Sequence, residues 1–262
     1  MMTILEMETS RNALDAYRSR TYRSGLVCGM LFTRTALFLL IQFLLFLSFS
    51  LSGTSAPWEQ SANWWTLNVA VTNVICVLLL DRLLKREGKR FLDFFQFQKG
   101  EIGKSFLMMS GFLLLCMPFA YLPNILLGNM LFGDYMQAVN MVYRPLPVWA
   151  AWLQCFVFPL TMPLGELTIY FGYVMPRLEV ITKKKWLALT LPALALSFQH
   201  AALPLLFDTR FVLWRLLMFL PFAFLIGLLI RWKPKLFPYI LIGHFLIDIM
   251  NAVSILMISL AK

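Results

Sequence analysis

Charge is scarce in this sequence. Asp, Glu, Lys and Arg make up 14% of its 262 residues, against roughly a quarter in an ordinary water-soluble protein. Too few polar side chains are present to cover a folded surface, which excludes a soluble one- or two-domain chain. Cysteine is sparse as well: Cys28, Cys76, Cys116 and Cys155 stand singly within apolar segments. With no CxxC pair and no Cys/His spacing, neither a disulfide framework nor a structural zinc site is supported. No HExxH, no GxSxG, no Walker A sequence and no Rossmann glycine pattern in a suitable context occurs, so the common soluble signatures of hydrolysis and nucleotide binding are missing. Internal repeats and low-complexity tracts are also absent, which speaks against transporter folds built from repeats. Glu6, Glu8, Asp15 and several arginines precede the first apolar run. That is the wrong order for a cleavable signal peptide, so the first run is expected to stay in the mature chain.

What is present is hydrocarbon. Sixty per cent of the residues are apolar and the mean hydropathy is +0.74. A bilayer core of roughly 30 Å is crossed by about 20 helical residues. Runs of that kind lie at 26–52, 64–81, 104–128, 147–176, 186–207, 211–230 and 237–260. They are continuous rather than alternating, which excludes a transmembrane β-barrel, and backbone groups in lipid must pair within their own segment. The fold class is therefore all-α: a polytopic transmembrane bundle of about seven to eight membrane helices, with a cytoplasmic tail over 1–25 and a single membrane domain over 26–262.

The basic residues test this segmentation independently. Arg11, Arg18, Arg20 and Arg23 lie in the tail, seven Lys/Arg fall in 82–104, four in 177–185 and three in 231–236. The alternate connections 53–63, 129–146 and 208–210 hold none, one and one. Every second connection is basic, as seven crossings with a cytoplasmic N-terminus require. The net charge of +10 is then topology together with attraction to anionic headgroups, and nucleic acid is not needed as a partner. Two stretches are irregular. Pro159 and Pro163 predict a kinked or broken helix in 147–176, with Gly165 and Glu166 just after the break. The 82–104 connection mixes cations with Phe91, Phe94, Phe95 and Phe97 and reads as a partly helical interfacial segment.

Ionisable residues inside spans are costly and mark function. Six stand out: Arg34, Glu166, His200, Arg215, His244 and Asp248. The two arginines lie nearer the span ends, where snorkelling or pairing within the bundle accounts for them. The other four fall at comparable depth. Counted from the basic ends at about 1.5 Å per residue, Glu166 lies near 16 Å, Asp248 near 18 Å, His200 near 22 Å and His244 near 12 Å. His244 and Asp248, four apart, share one helix face. Three readings follow from a carboxylate, an imidazole and an imidazole–carboxylate pair on three helices. One is a catalytic site, in which Glu166 serves as general base for water and the imidazoles orient the water or stabilise an oxyanion. In a metal version His200, His244 and Glu166 hold Zn²⁺ with one position left for water. The second is a polar network that fixes helix packing, and the third a proton relay in a transporter.

The string Gly165-Glu166-Leu167-Thr168-Ile169-Tyr170-Phe171-Gly172-Tyr173-Val174-Met175-Pro176-Arg177-Leu178 resembles the first motif of the CPBP family. These are the intramembrane proteases of CAAX-prenyl-protease and bacteriocin-processing type, also called Abi, whose motif usually reads like GEE…RGYLLPRL. The second motif, a His after a Phe-containing apolar helix, is similar to Leu196-Ser197-Phe198-Gln199-His200 with Leu203-Pro204 following. The third, His-xxx-Asn/Asp, is similar to His244-Phe245-Leu246-Ile247-Asp248. The three occur in family order over about 165–250, within a 140–250 region that resembles the protease core. The resemblance implies an intramembrane endopeptidase acting on a membrane-associated peptide or protein in a bacterial cytoplasmic membrane. Carried over, Glu166 is the general base, His200 and His244 support the water or the oxyanion, and Asp248 orients His244. Zinc and a metal-free glutamate mechanism stay equally open. Three positions depart from the pattern: the second Glu is Leu167, the Arg is Phe171, and the Phe before the second-motif His is Leu196. Losing the Glu and the Arg together removes both members of a supporting ion pair, which leaves either an active variant or a non-hydrolytic relative such as a scaffold or immunity protein.

Overall fold

The apolar runs become helices because lipid leaves the backbone no other partner for its N–H and C=O groups. A computed structural model describes residues 22–97 and 100–261; the tail expected over 1–25 lies almost entirely outside the described residues. The helices are α1 (Ser24–Leu51), α2 (Pro57–Asn63), α3 (Trp65–Arg86), α4 (Ile102–Phe132), α5 (Tyr135–Val142), α6 (Val148–Gly165), α7 (Met175–Thr182), α8 (Lys185–Phe198), α9 (Thr209–Leu217), α10 (Leu220–Trp232) and α11 (Phe237–Leu260). No strand is formed among the described residues, and the chain is a helical bundle. Among the described residues, six helical stretches are long and apolar enough to cross a membrane: 24–51, 65–86, 102–132, 148–182, 209–232 and 234–260.

The expected span 186–207 is not one continuous α-helix: α8 is 14 residues long, short of the roughly 20 that a crossing by α-helix alone needs, and the rest runs on to Leu205, which Trp58 of the opposite connection holds. Helix α8 passes into a 3₁₀ turn at Gln199–Ala202, and Leu203 is extended at φ −141° and ψ 96°. Pro204 explains the stop, because the residue before a proline is driven out of the helical region. The interfacial segment after α3 is a 3₁₀ turn, Phe91–Phe95. Phe91, Phe94 and Phe95 pack on the core, with the Phe94 ring 5.6 Å from that of Phe237.

Helix faces are inverted relative to a soluble bundle. On α1 the buried positions Val27, Leu31, Arg34, Phe38 and Gln42 follow helical spacing. Phe32, Leu39, Leu40, Phe43 and Leu44 point outward. Polar residues thus turn inward and hydrocarbon faces lipid. Helix α6 is central: it packs against α11 on one side and α3 on the other, while the segment after it packs against α1.

The chain from Val148 to Thr182 stays helical but changes type, with Thr168–Val174 as a π-helix. The irregularity therefore falls just past Pro159 and Pro163, at Glu166 itself. Thr168 Oγ1 donates to the Leu164 carbonyl across this change. Outside the spans, Asp208 caps α9 by accepting from the N–H groups of Phe211 (3.0 Å) and Arg210 (2.8 Å). These donors hold its carboxyl below the usual range.

At the basic end, Arg177 donates through Nε to Glu87 Oε1 at 2.8 Å and through Nη2 to Glu87 Oε2. Its guanidinium carbon lies 3.8 Å from the Tyr173 ring centroid. This bidentate pair ties the start of α7 to the residue that ends α3. Glu87→Ala leaves Arg177 buried and unpaired, and should lower stability by about 3 kcal/mol. A double Glu87→Leu/Arg177→Met variant should recover most of that loss. Thermal unfolding in detergent checks both.

Candidate functional site

Glu166 sits where α6 gives way to the π-helix. Such widened turns are rare and recur at functional sites. The approach of α3 needs Gly165: a Cβ there would run into the Asn73 side-chain oxygen and come within 2.7 Å of the Asn73 Cβ. Asn73 in turn accepts from Arg34 Nη1. The small residue before Glu166 thus lets α3 bring an amide beside the carboxylate's own partner.

That partner is Arg34 of α1, fully buried. Its Nη2 lies 3.4 Å from Glu166 Oε2, and its Nε donates to Gln199 Oε1 at 2.8 Å. Gln199 Nε2 donates to the same Glu166 oxygen at 2.5 Å. Tyr170 OH also donates to Gln199 Oε1, at 3.1 Å. Four elements therefore meet at one charge pair, and both polar side-chain atoms of Gln199 are used. Oε1, the other Glu166 oxygen, faces His244, whose Nε2 is 3.8 Å away. The same Nε2 is 3.3 Å from Asp248 Oδ2, as the one-turn spacing on α11 dictates.

His200 occupies the 3₁₀ turn after α8. Its Nδ1 lies 2.9 Å from the Leu196 carbonyl and 3.2 Å from that of Ser197. Carbonyls only accept, so Nδ1 carries the proton and Nε2 of the neutral ring is an acceptor. The ring lies 4.6 Å from Phe219, centroid to centroid. No hydrogen bond or ion pair among the described residues joins His200 to Glu166, His244 or Asp248. What joins them is space. Glu166, His200, His244 and Asp248 all line one cavity of about 220 Å³, whose walls are mostly apolar and include Leu113, Met117, Phe158 and Phe222.

Snorkelling is ruled out for both arginines set apart as nearer the span ends. Arg34 is fully buried and Arg215 is 5% exposed. Arg215 Nε donates to the His200 carbonyl at 3.0 Å and Nη2 donates to that of Leu203, so it serves the main chain that α8 leaves unpaired when it ends. Leu205 is served likewise by Gln42, which bonds its C=O and its N–H at 2.9 Å each, and by Trp58 Nε1 at 2.9 Å.

The set His200, His244 and Glu166 does not form a metal site. Among the described residues no group of three or more His, Cys, Asp or Glu is arranged to hold a metal ion. The physical reason lies in the partners. Glu166 Oε2 already meets a guanidinium and an amide N–H, and a second cation beside Arg34 would be repelled.

Reading charges alone missed Asn73, Gln199 and Tyr170, and missed Arg34 as the partner of Glu166. A signal existed in the helix 65–86, where Asn68, Thr72 and Asn73 interrupt an apolar run and are all buried. Compared with protein-family models, curated proteins and solved structures, the chain matches none.

Arg34→Met strands a carboxylate beside a half-used amide and should cost about 3 kcal/mol or more. Adding Glu166→Gln removes the stranded charge and should restore a substantial part. Detergent melting of the two single variants and the double variant gives the coupling directly.

Proposed function

We propose that the chain is an intramembrane endopeptidase of CPBP type, hydrolysing a peptide bond in a membrane-associated peptide or protein. In this reading it resides in a bacterial cytoplasmic membrane with its N-terminus cytoplasmic, as the alternation of basic connections requires. The observation that carries it is the lining of one mostly apolar cavity by Glu166, His200, His244 and Asp248, contributed by three separate stretches of chain.

Roles follow from the atoms. Arg34 and Gln199 hold Glu166 Oε2 and leave Oε1 to act. A water about 2.8 Å from both Oε1 and His244 Nε2 is compatible with their separation. Glu166 accepts its proton as the hydroxide adds to the substrate carbonyl carbon, then passes that proton to the leaving amine. Asp248 orients His244. With Nδ1–H committed to the Leu196 carbonyl, neutral His200 accepts from a water or from the leaving group, so of its two expected roles holding water fits better than donating to an oxyanion. Loss of the motif's Glu and Arg is accommodated: Leu167 and Phe171 are buried at 5% and 2% exposure, and Arg34 brings a guanidinium to Glu166 from another helix.

A non-hydrolytic binding protein is the second reading. The fully buried Arg34–Glu166 pair favours it, since that pair also serves to knit α1 to α6. One comparison separates the two. The full chain is reconstituted in proteoliposomes with a panel of fluorogenic hydrophobic peptides. Glu166→Gln and His244→Ala should each lower cleavage at least 100-fold while the protein still accumulates in the membrane. Undiminished cleavage by Glu166→Gln would end the glutamate mechanism.

A further inference from the structure

Arg215 leaves a charge without an answer. No carboxylate lies within ion-pair distance of it among the described residues. Its Nε and Nη2 are spent on two neutral carbonyls, while Nη1 meets only the Met218 sulfur, at 3.9 Å. Carbonyl capture does not call for a cation. Two residues further along the same turn, Leu205 is held by the neutral side chains of Gln42 and Trp58. A buried guanidinium lacking a counter-ion is expensive, and this one lines the cavity. Asn251 lines it too, and accepts from Tyr143 OH through Oδ1 at 2.6 Å.

From this we infer that the cavity binds a carboxylate carried on an apolar chain, with Arg215 Nη1 as its counter-ion and the hydrocarbon along the Leu113, Met117 and Phe222 wall. One free edge of a single guanidinium suits a monoanion rather than a doubly charged phosphate. Two sources share that chemistry: a long-chain fatty acid and the free C-terminus of an apolar peptide. The inference goes beyond hydrolysis, because an anion site at Arg215 needs no action by Glu166.

The test is equilibrium binding to the full chain in nanodiscs at alkaline pH, where the acids are ionised. One arm compares palmitate with palmitamide. The other compares an N-acetylated apolar tripeptide of D-amino acids, which resists cleavage, with its C-terminal amide. In the arm that matches the natural source, the acid should bind about tenfold or more tighter than the amide, and Arg215→Gln should erase the preference. Equal affinity of acid and amide in both arms overturns the inference, as does a preference that survives in a folded Arg215→Gln protein. Should that variant fail to fold, the acid–amide comparison on the unaltered chain decides alone. Failure here leaves the Glu166 assay untouched, since these probes are bound and never cut.

Discussion

The Arg34–Glu166 contact is the constraint around which the bundle is arranged. Neither group belongs in hydrocarbon by itself: desolvating one charge costs several kcal/mol, by rough reckoning, and a partner with further hydrogen bonds offsets it. The chain supplies those bonds from Asn73 and Gln199, and each comes from a different element. The helices α1, α3 and α6 and the turn after α8 thereby have their mutual rotation set by a polar cluster. Apolar packing against lipid-like neighbours could not impose that register, since leucine finds equal company in a bilayer.

The same cluster sits where helical geometry fails. Glu166 lies at the change from α to π, and His200 lies in the turn that ends α8. Irregular backbone at membrane depth is tolerated only where other groups take up its hydrogen bonds. Arg215, Gln42 and Trp58 do that around Leu203 and Leu205, and Thr168 does it beside Glu166. Regular helix already carries His244, Asp248 and Arg215 to the cavity. Breaking it at two places makes room for a carboxylate and an imidazole whose polar atoms face the same space.

Much of this was legible from residue types. Runs of hydrocarbon marked the helices because lipid admits no alternative, and the four groups Glu166, His200, His244 and Asp248 drew notice simply by being ionisable at depth. The stop at Phe198 was less visible: apolarity continues to Phe207, and composition does not record a helix end. Pro204 carried that information, weakly. The supporting shell was harder still. Asn73 and Gln199 are neutral, and an amide in a membrane helix has many uses. Only the approach of α3 over Gly165 gives Asn73 its partner. Arg34 was visible as a charge, but its sequence position near a span end suggested the membrane surface, whereas helix rotation turned it inward.

The cavity therefore carries opposite charges with different degrees of compensation. Glu166 has its cation in Arg34, and Asp248 faces the His244 ring. Arg215 is balanced by dipoles only. In a medium of low dielectric such an imbalance is felt across the whole cavity, because few mobile ions or waters screen it. A molecule inside the cavity meets a cation without a counter-ion at Arg215 and a carboxylate already paired at Glu166. A polar chain without negative charge gains little there, and a cation is opposed. The asymmetry selects for apolar molecules with an anionic terminus, and it orients them: the charged end goes toward Arg215, and the remainder of the chain is left to pass the Glu166 and His244 side.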